Sequence, residues 1–387
     1  MQIDFHHATT YVIARFSGFN HDDASVIAYS AQYVDDSTSS GFIRFANGMR
    51  YLRSATAHPM SDPDNLDNDE NTISWLPFHF LPGNLVPATA PDDEHQYARK
   101  LVCRPDSQIA RDMIAAASAE RDAPYALHRL GIAAHVFVDT FVHKGFAGLH
   151  HHLNTATELR DADGKAIPEF AVPPIGHGQV GTCPDQPFLR WSYTDWEGKR
   201  IVRDNPADFL QASTRLCEEF QRFRGVPIAG LSREQAGLLS HAFETIRDEP
   251  GEVRHAKWIA MIADNHFGFG PQKLEYEGKS IGSWKHIALG QGYVNWLDNC
   301  KASVDRHLGT NGDGLFDRLM AFGGKQVQSV LDKSAAAADA LGRDIPIECT
   351  TAVPFLDSHY KHFHDAAKAQ RYLVLNVLLP AASIYAA

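Results

Sequence analysis

Residues 127–146 read Leu-His-Arg-Leu-Gly-Ile-Ala-Ala-His-Val-Phe-Val-Asp-Thr-Phe-Val-His-Lys-Gly-Phe, an apolar run in which His135, Asp139 and His143 recur at intervals of four. At about 100° of rotation per helical residue, positions four apart lie roughly 40° from each other, so these side chains share one stripe. His128 falls on the same stripe. Leu127, Leu130, Ile132, Val136, Phe137, Val138, Phe141 and Val142 take nearly every other direction, the pattern of a helix buried on most sides. A carboxylate between two imidazoles in such a place must be paired, protonated or bound to a metal, because an isolated buried charge is strongly unfavourable. Three potential metal ligands on one face make coordination the leading expectation.

Helical signals dominate the rest of the chain. Apolar spacing predicts helices over Phe5–Phe16, Asp23–Val34 with caps from Asn20 to Asp23, Asp106–Arg121, Pro206–Arg224, Arg233–Arg247, Val253–Ala263, Gly314–Leu341 and Ser358–Leu379. For the central helix, Asp122 is the expected cap, Pro124 fits its first turn and Gly145 ends it. Irregular stretches are expected at Ala55–Asn71, Leu81–Asp93 and Asp161–Asp204, with short strands near Gly41–Phe45, Lys199–Val202 and Leu274–Glu277. The expectation is an all-α, mainly helical chain with long loops and a few short strands. It is one domain over residues 1–387, with a metal-site core over about 1–200 and a helical extension over about 201–387.

Composition removes several function classes. A net charge of −11 without a basic block argues against long nucleic acid as a partner. Five widely spaced cysteines without Cys-x-x-Cys fit a reducing compartment and rule out thiolate zinc sites, leaving the 21 histidines as metal donors. Met1–His7 has no basic segment followed by an apolar run, and Leu373–Leu379 is too short to span a bilayer, so a cytoplasmic chain without a transmembrane segment is expected. Gly176, Gly178 and Gly181 have dinucleotide-loop spacing, but Pro173, Pro174 and Pro184 occupy the strand and helix positions that motif needs. Gly278-Lys279-Ser280 lacks the first glycine of a phosphate loop, and the acidic run Asp62–Glu70 lacks the glycine and glutamate of a calcium loop. His21-Asp22 and His364-Asp365 leave a His-Asp type phosphohydrolase as an alternative, although Asp near a helix start also serves as a cap.

A wider constellation surrounds the central stripe: His6-His7, Asp35-Asp36 after Gln-Tyr-Val, His79 in Trp-Leu-Pro-Phe-His-Phe-Leu-Pro-Gly, and His177 in Ile-Gly-His-Gly. This order, with Asp139-Thr-Phe-Val-His-Lys-Gly-Phe146, resembles the zinc-dependent phospholipase C and single-strand nuclease superfamily, closest to an uncharacterised bacterial branch of it. The resemblance covers roughly the first half of the chain. It implies a nuclease-like helical core in which His135 binds one zinc and Asp139 bridges two. It also implies that His79 and Asp35 complete the set around the first ion, His7 serves the ion across Asp139, and His143 with His177 holds a third, with Asp185 as a possible partner. Asp36 is carried as a further candidate ligand. The chain departs from that pattern at His143, which follows Asp139 by four residues where the superfamily has six, and at Gly181, where a carboxylate is usual. In secreted members the N-terminal amine is itself a ligand, whereas here six residues precede His7.

The residue types suit the chemistry independently. Zinc takes imidazole nitrogen and carboxylate oxygen and lowers the pKa of bound water to about 7, although manganese or iron would accept the same mixed donors. The expectation is a metal-dependent hydrolase of phosphate esters with two or three zinc ions, Asp139 and Asp35 central to catalysis, and a small phosphoester or lipid headgroup as substrate. The alternative from another class is a non-catalytic helical protein with a structural or storage metal site.

Overall fold

The central segment is a helix over Ala126–Val142, in which every side chain except Leu127 is buried. The computed structural model describes residues 1–45, 47–58, 63–83, 94–278, 282–289, 347–349 and 353–384; the helix expected over Gly314–Leu341 lies outside them. In chain order the helices are α1 (Thr10–Phe16), α2 (His21–Asp36), α3 (Asn68–Phe78), α4 (Glu94–Lys100), α5 (Gln108–Ala119), α6 (Ala126–Val142), α7 (Asn205–Arg224), α8 (Arg233–Thr245), α9 (Gly251–Ala263), α10 (Trp284–Leu289), α11 (Val353–Leu356) and α12 (His359–Leu373). Strands β1 (Gly41–Phe45), β2 (Arg50–Arg53), β3 (Ala156–Asp161), β4 (Arg190–Asp195), β5 (Arg200–Asp204) and β6 (Ile347–Cys349) make two small sheets, ordered β2-β1-β6 and β3-β4-β5. The fold is thus mainly helical with some strands.

Helix α6 is the axis of the packing. Helices α2, α5, α7 and α12 all pack on it, so segments from beyond residue 200 cover the same helix as the N-terminal ones. The crossing with α2 is the closest. A Cβ added at Gly131 would stand 2.4 Å from the Ile27 carbonyl oxygen and 2.6 Å from Ser30 Cβ, so only glycine lets the two backbones meet there. Phe5, Phe137, Phe141, Phe209, Leu216 and Phe243 belong to the core around this contact.

Local signals explain most element ends. The Asn20 side chain accepts from the Asp23 N–H to start α2, and Asp204 accepts from the Ala207 N–H to start α7. Helix α7 ends at Gly225 with φ +67°. The acidic run does not form a loop throughout: Asp67 caps α3, and Asp69 and Glu70 sit in its first turn, where the helix dipole favours negative charge. Helix α3 was not expected because it carries Pro77 internally and begins inside the stretch expected to be irregular. Strand β3 reaches back before that third irregular stretch, and β4 lies within it; alternation of Trp191 and Tyr193 with polar residues gives β4 its apolar side. Leu274–Glu277 is not a strand. Asp122 does not cap α6, whose cap position is Tyr125 without a side-chain hydrogen bond. The N-terminal helix begins as a π-helical turn over Asp4–Thr9. No helix among the described residues is long and apolar enough to cross a membrane.

Gly131→Ala should lower unfolding stability by about 1–3 kcal/mol, because the added methyl meets backbone that cannot turn aside. Urea denaturation would read this as a lower midpoint at unchanged slope; an unaltered midpoint would contradict the close crossing.

Candidate metal centre

Five parts of the chain contribute polar groups to one cluster on the buried face of α6. Helix α6 supplies His135 and Asp139 and ends at His143, which takes the C-cap position. The end of α2 brings Asp35, the end of α3 brings His79, and the loop between β3 and β4 brings His177 and Asp185. The N-terminal turn inserts the Met1 amine and His6 from the opposite side. Asp139 sits at the middle. Its Oδ1 lies 2.8 Å from the Met1 amine and 3.3 Å from His6 Nε2, and its Oδ2 lies 3.2 Å from His135 Nε2, 3.7 Å from His143 Nδ1 and 3.8 Å from His79 Nδ1. Asp35 Oδ1 stands 3.7 Å from His79 Nδ1 and 3.8 Å from His135 Nε2. Asp185 approaches the Met1 amine at 3.2 Å, His143 Nε2 at 3.6 Å and His177 Nε2 at 3.8 Å.

The imidazoles are oriented by main-chain carbonyls. His135 Nδ1–H donates to Ala31 O at 2.7 Å, His79 Nε2–H to Thr56 O at 3.0 Å, His143 Nδ1–H to His79 O at 2.9 Å and His177 Nδ1–H to Gly181 O at 2.9 Å. A neutral ring that donates from one nitrogen presents a lone pair at the other, the arrangement by which metal-binding histidines are held. His135 Nε2 and His79 Nδ1 face each other at 3.2 Å. Both are then acceptors, and no hydrogen bond joins them. A tetrahedral zinc with nitrogens at about 2.0–2.1 Å holds two of them about 3.3 Å apart. His6 is fully buried, stacks on His135 with ring centres 3.7 Å apart, and neither of its nitrogens has a hydrogen-bond partner. Among the described residues, three sets of side chains have ligand atoms within 4.8 Å of one another: His6, Asp35 and His135; His79, His135 and Asp139; and His143, His177 and Asp185.

Burial and mutual charge set the protonation states. Burial opposes ionisation of Asp139, but His143, the Met1 amine, His135 and His6 outweigh it and hold the carboxyl well below its ordinary range. Asp185 is likewise lowered against burial by the Met1 amine and His177. Burial also works against the Met1 ammonium, yet Asp139 and Asp185 prevail and raise it to about 11. Burial lowers His6, His79 and His135, and takes His177 down to about 4 despite Asp185. At Asp35, burial dominates and pushes the carboxyl up to about 7, with His79 opposing and Asp139 adding. Two carboxylates stand against one ammonium, with burial working against a proton on His6, His79, His135 and His177, a balance that favours a further cation.

Six of the eight side chains expected as ligands converge here: Asp35, His79, His135, Asp139, His143 and His177. His7 and Asp36 do not. His7 points away, with Nδ1 2.9 Å from His255 Nε2 and its ring against Tyr276, and the adjacent His6 takes the place expected for it. One residue of rotation in the N-terminal turn separates the two. Asp36, one residue beyond Asp35, accepts from Tyr276 Oη at 2.5 Å. The Met1 amine, which the six residues before His7 seemed to remove from the site, folds back onto Asp139. Neither His-Asp pair reaches the cluster: His21 bonds Tyr11 Oη, His364 bonds the Ser54 backbone, and Asp365 pairs with Lys361 and Tyr51.

The chain belongs to a family of unknown function, DUF6765, whose profile matches residues 1–378. No curated protein and no solved structure matches the chain.

The neutral histidines give the metal-free protein a defined acid sensitivity. His177 has a folded value of about 4, against an ordinary value near 6.5, so below pH 6.5 the unfolded chain binds a proton that the folded one refuses. Its contribution is complete above pH 6.5 and is lost as pH falls toward 4, about 2 kcal/mol by pH 5. His6, His79 and His135 act in the same direction. Thermal unfolding in chelator should show a melting temperature that drops steadily from pH 7 to pH 5, a loss that His177→Asn reduces; a flat profile would contradict neutral burial.

Proposed function

We propose that the protein is a metal-dependent hydrolase of phosphate esters, with a phospholipase C and nuclease-like helical core and zinc as the preferred ion. The observation that carries this reading is the pair of lone pairs on His135 and His79 aimed at each other across 3.2 Å while main-chain carbonyls hold the opposite nitrogens. Such a pair is repulsive unless a cation lies between. His79, His135, Asp139 and Asp35 would hold one ion, His6 a second across Asp139, joined by the Met1 amine once the ion has displaced its proton, and His143, His177 and Asp185 a third. Bound there, divalent ions would polarise a phosphoryl oxygen and bring the pKa of water to about 7.

The chain's own groups fit the remaining tasks. Asp139 directs its two oxygens to opposite sides and would keep neighbouring cations apart and in register. Asp35, with a side chain 33% exposed, stands at the edge of the cluster, and its raised carboxyl could exchange a proton with an incoming water near neutral pH. His177, 21% exposed, marks a second edge toward solvent. These open edges favour a catalytic site over a closed structural one, because substrate must reach the ions.

Protein purified without chelator should contain about two or three equivalents of zinc, measured by plasma mass spectrometry. His135→Asn and Asp139→Asn should each lower metal content and cut hydrolysis of a phosphodiester such as bis(p-nitrophenyl) phosphate by about 100-fold or more. Protein that carries no metal and melts identically with and without chelator would overturn the metal reading. Metal-loaded protein inactive on phosphomonoesters, phosphodiesters and phospholipid headgroups alike would overturn the hydrolase.

A further inference from the structure

Two turns before His135, α6 carries another imidazole that the Asp139 cluster does not use. His128 is 4% exposed and faces the first turn of α12. Its Nε2 lies 3.0 Å from His359 Nδ1, and its ring centre is 5.2 Å from that of His359 and 5.5 Å from that of His362. The buried Nδ1 atoms of His128 and His362 have no hydrogen-bond partner. Trp284 of α10 closes one side, stacked on His359 at 4.9 Å and 21° and standing 5.3 Å from His128.

We infer that His128, His359 and His362 form a second metal site, distinct from the Asp139 cluster, which takes a transition ion of the copper(II), nickel or zinc class through imidazole nitrogen alone. The facing nitrogens of His128 and His359 are a few tenths of an ångström closer than the roughly 3.3 Å that a tetrahedral ion imposes, so a small side-chain shift admits one. His362 is half-buried on the same face of α12 as His359, three residues on, with its ring centre 5.5 Å from that of His128, and would join the pair as third donor by turning its side chain toward them. Without an ion, the 3.0 Å contact accounts for a single N–H···N bond and leaves the buried Nδ1 of His362 idle, which is a cost for a polar atom shut away from water. Burial, reinforced by the neighbouring imidazoles, lowers His128 and His359, and burial with Lys361 lowers His362, so the lone pairs are free at neutral pH. The positive end of α12 opposes a cation here. Bond strength must therefore hold the ion, and among divalent ions on nitrogen donors copper(II) binds hardest. This inference does not rest on the function proposed for the Asp139 cluster.

Tag-free, chelator-stripped protein titrated with copper(II) tests it, read by paramagnetic resonance and by metal stoichiometry. The expected result is that the unaltered protein and Asp139→Asn both bind the equivalent at this site, with nitrogen hyperfine structure in its copper signal, whereas the double variant His359→Asn/His362→Asn binds one equivalent fewer and loses that component while keeping any copper held by the Asp139 cluster. Affinity for that equivalent should fall at least 100-fold while the circular dichroism spectrum stays unchanged. If the double variant does not fold, His362→Asn alone gives the reading, with at least a tenfold loss expected. Unchanged stoichiometry and affinity in the folded variant would overturn the site.

Discussion

The carboxylate of Asp139 sets the terms for everything around it. It is 1% exposed, on a helix otherwise walled by aliphatic and aromatic side chains, and it cannot be stable there alone. The protein answers with an ammonium on one oxygen and imidazoles on both, drawn from the N-terminal turn, α3 and α6 itself. Removing one member of such a set exposes the rest to an unbalanced buried charge, which usually costs more than the pair contributed. The site and the core are therefore one energetic unit.

The glycine contact between α2 and α6 supports that unit. Because Gly131 lets the helices meet at backbone distance, the Ala31 carbonyl reaches His135 and the last turn of α2 places Asp35 beside the same ring. Arg254 plays a comparable part on the far side: fully buried, it binds both oxygens of Asp4 and the Gln2 side chain, and so anchors the turn that carries Met1 and His6. A buried bidentate pair of this type fixes orientation as well as position.

Much of this is legible in the sequence itself. Apolar periodicity fixed α6, and intervals of four placed His135, Asp139 and His143 together, because helical geometry is strict over two turns. Asp35, His79 and His177 could be named only as residue types in plausible order. Their convergence depends on tertiary packing that no local pattern encodes. The two misplacements, His7 for His6 and Asp36 beside Asp35, are errors of one residue at element ends. A π-helical turn changes the angular step there, and adjacent identical residue types give no local basis for choosing between them. Strand β4 and helix α3 were hidden for another reason: glycine and proline around one, and an internal proline in the other, outweighed their patterns.

His79 occupies two roles at once. Its ring meets His135 and approaches Asp139 and Asp35, while its main-chain oxygen receives the Nδ1–H of His143, which faces Asp185 on the other side. A tilt of this one residue would move a donor in one group and the alignment of a donor in the next. Occupancy at the two places would then be thermodynamically linked, each favouring or disfavouring the other by the same factor. If the cluster holds the ions proposed for it, it would fill as a coupled set rather than as independent pockets, and loading would follow a curve steeper or shallower than simple saturation.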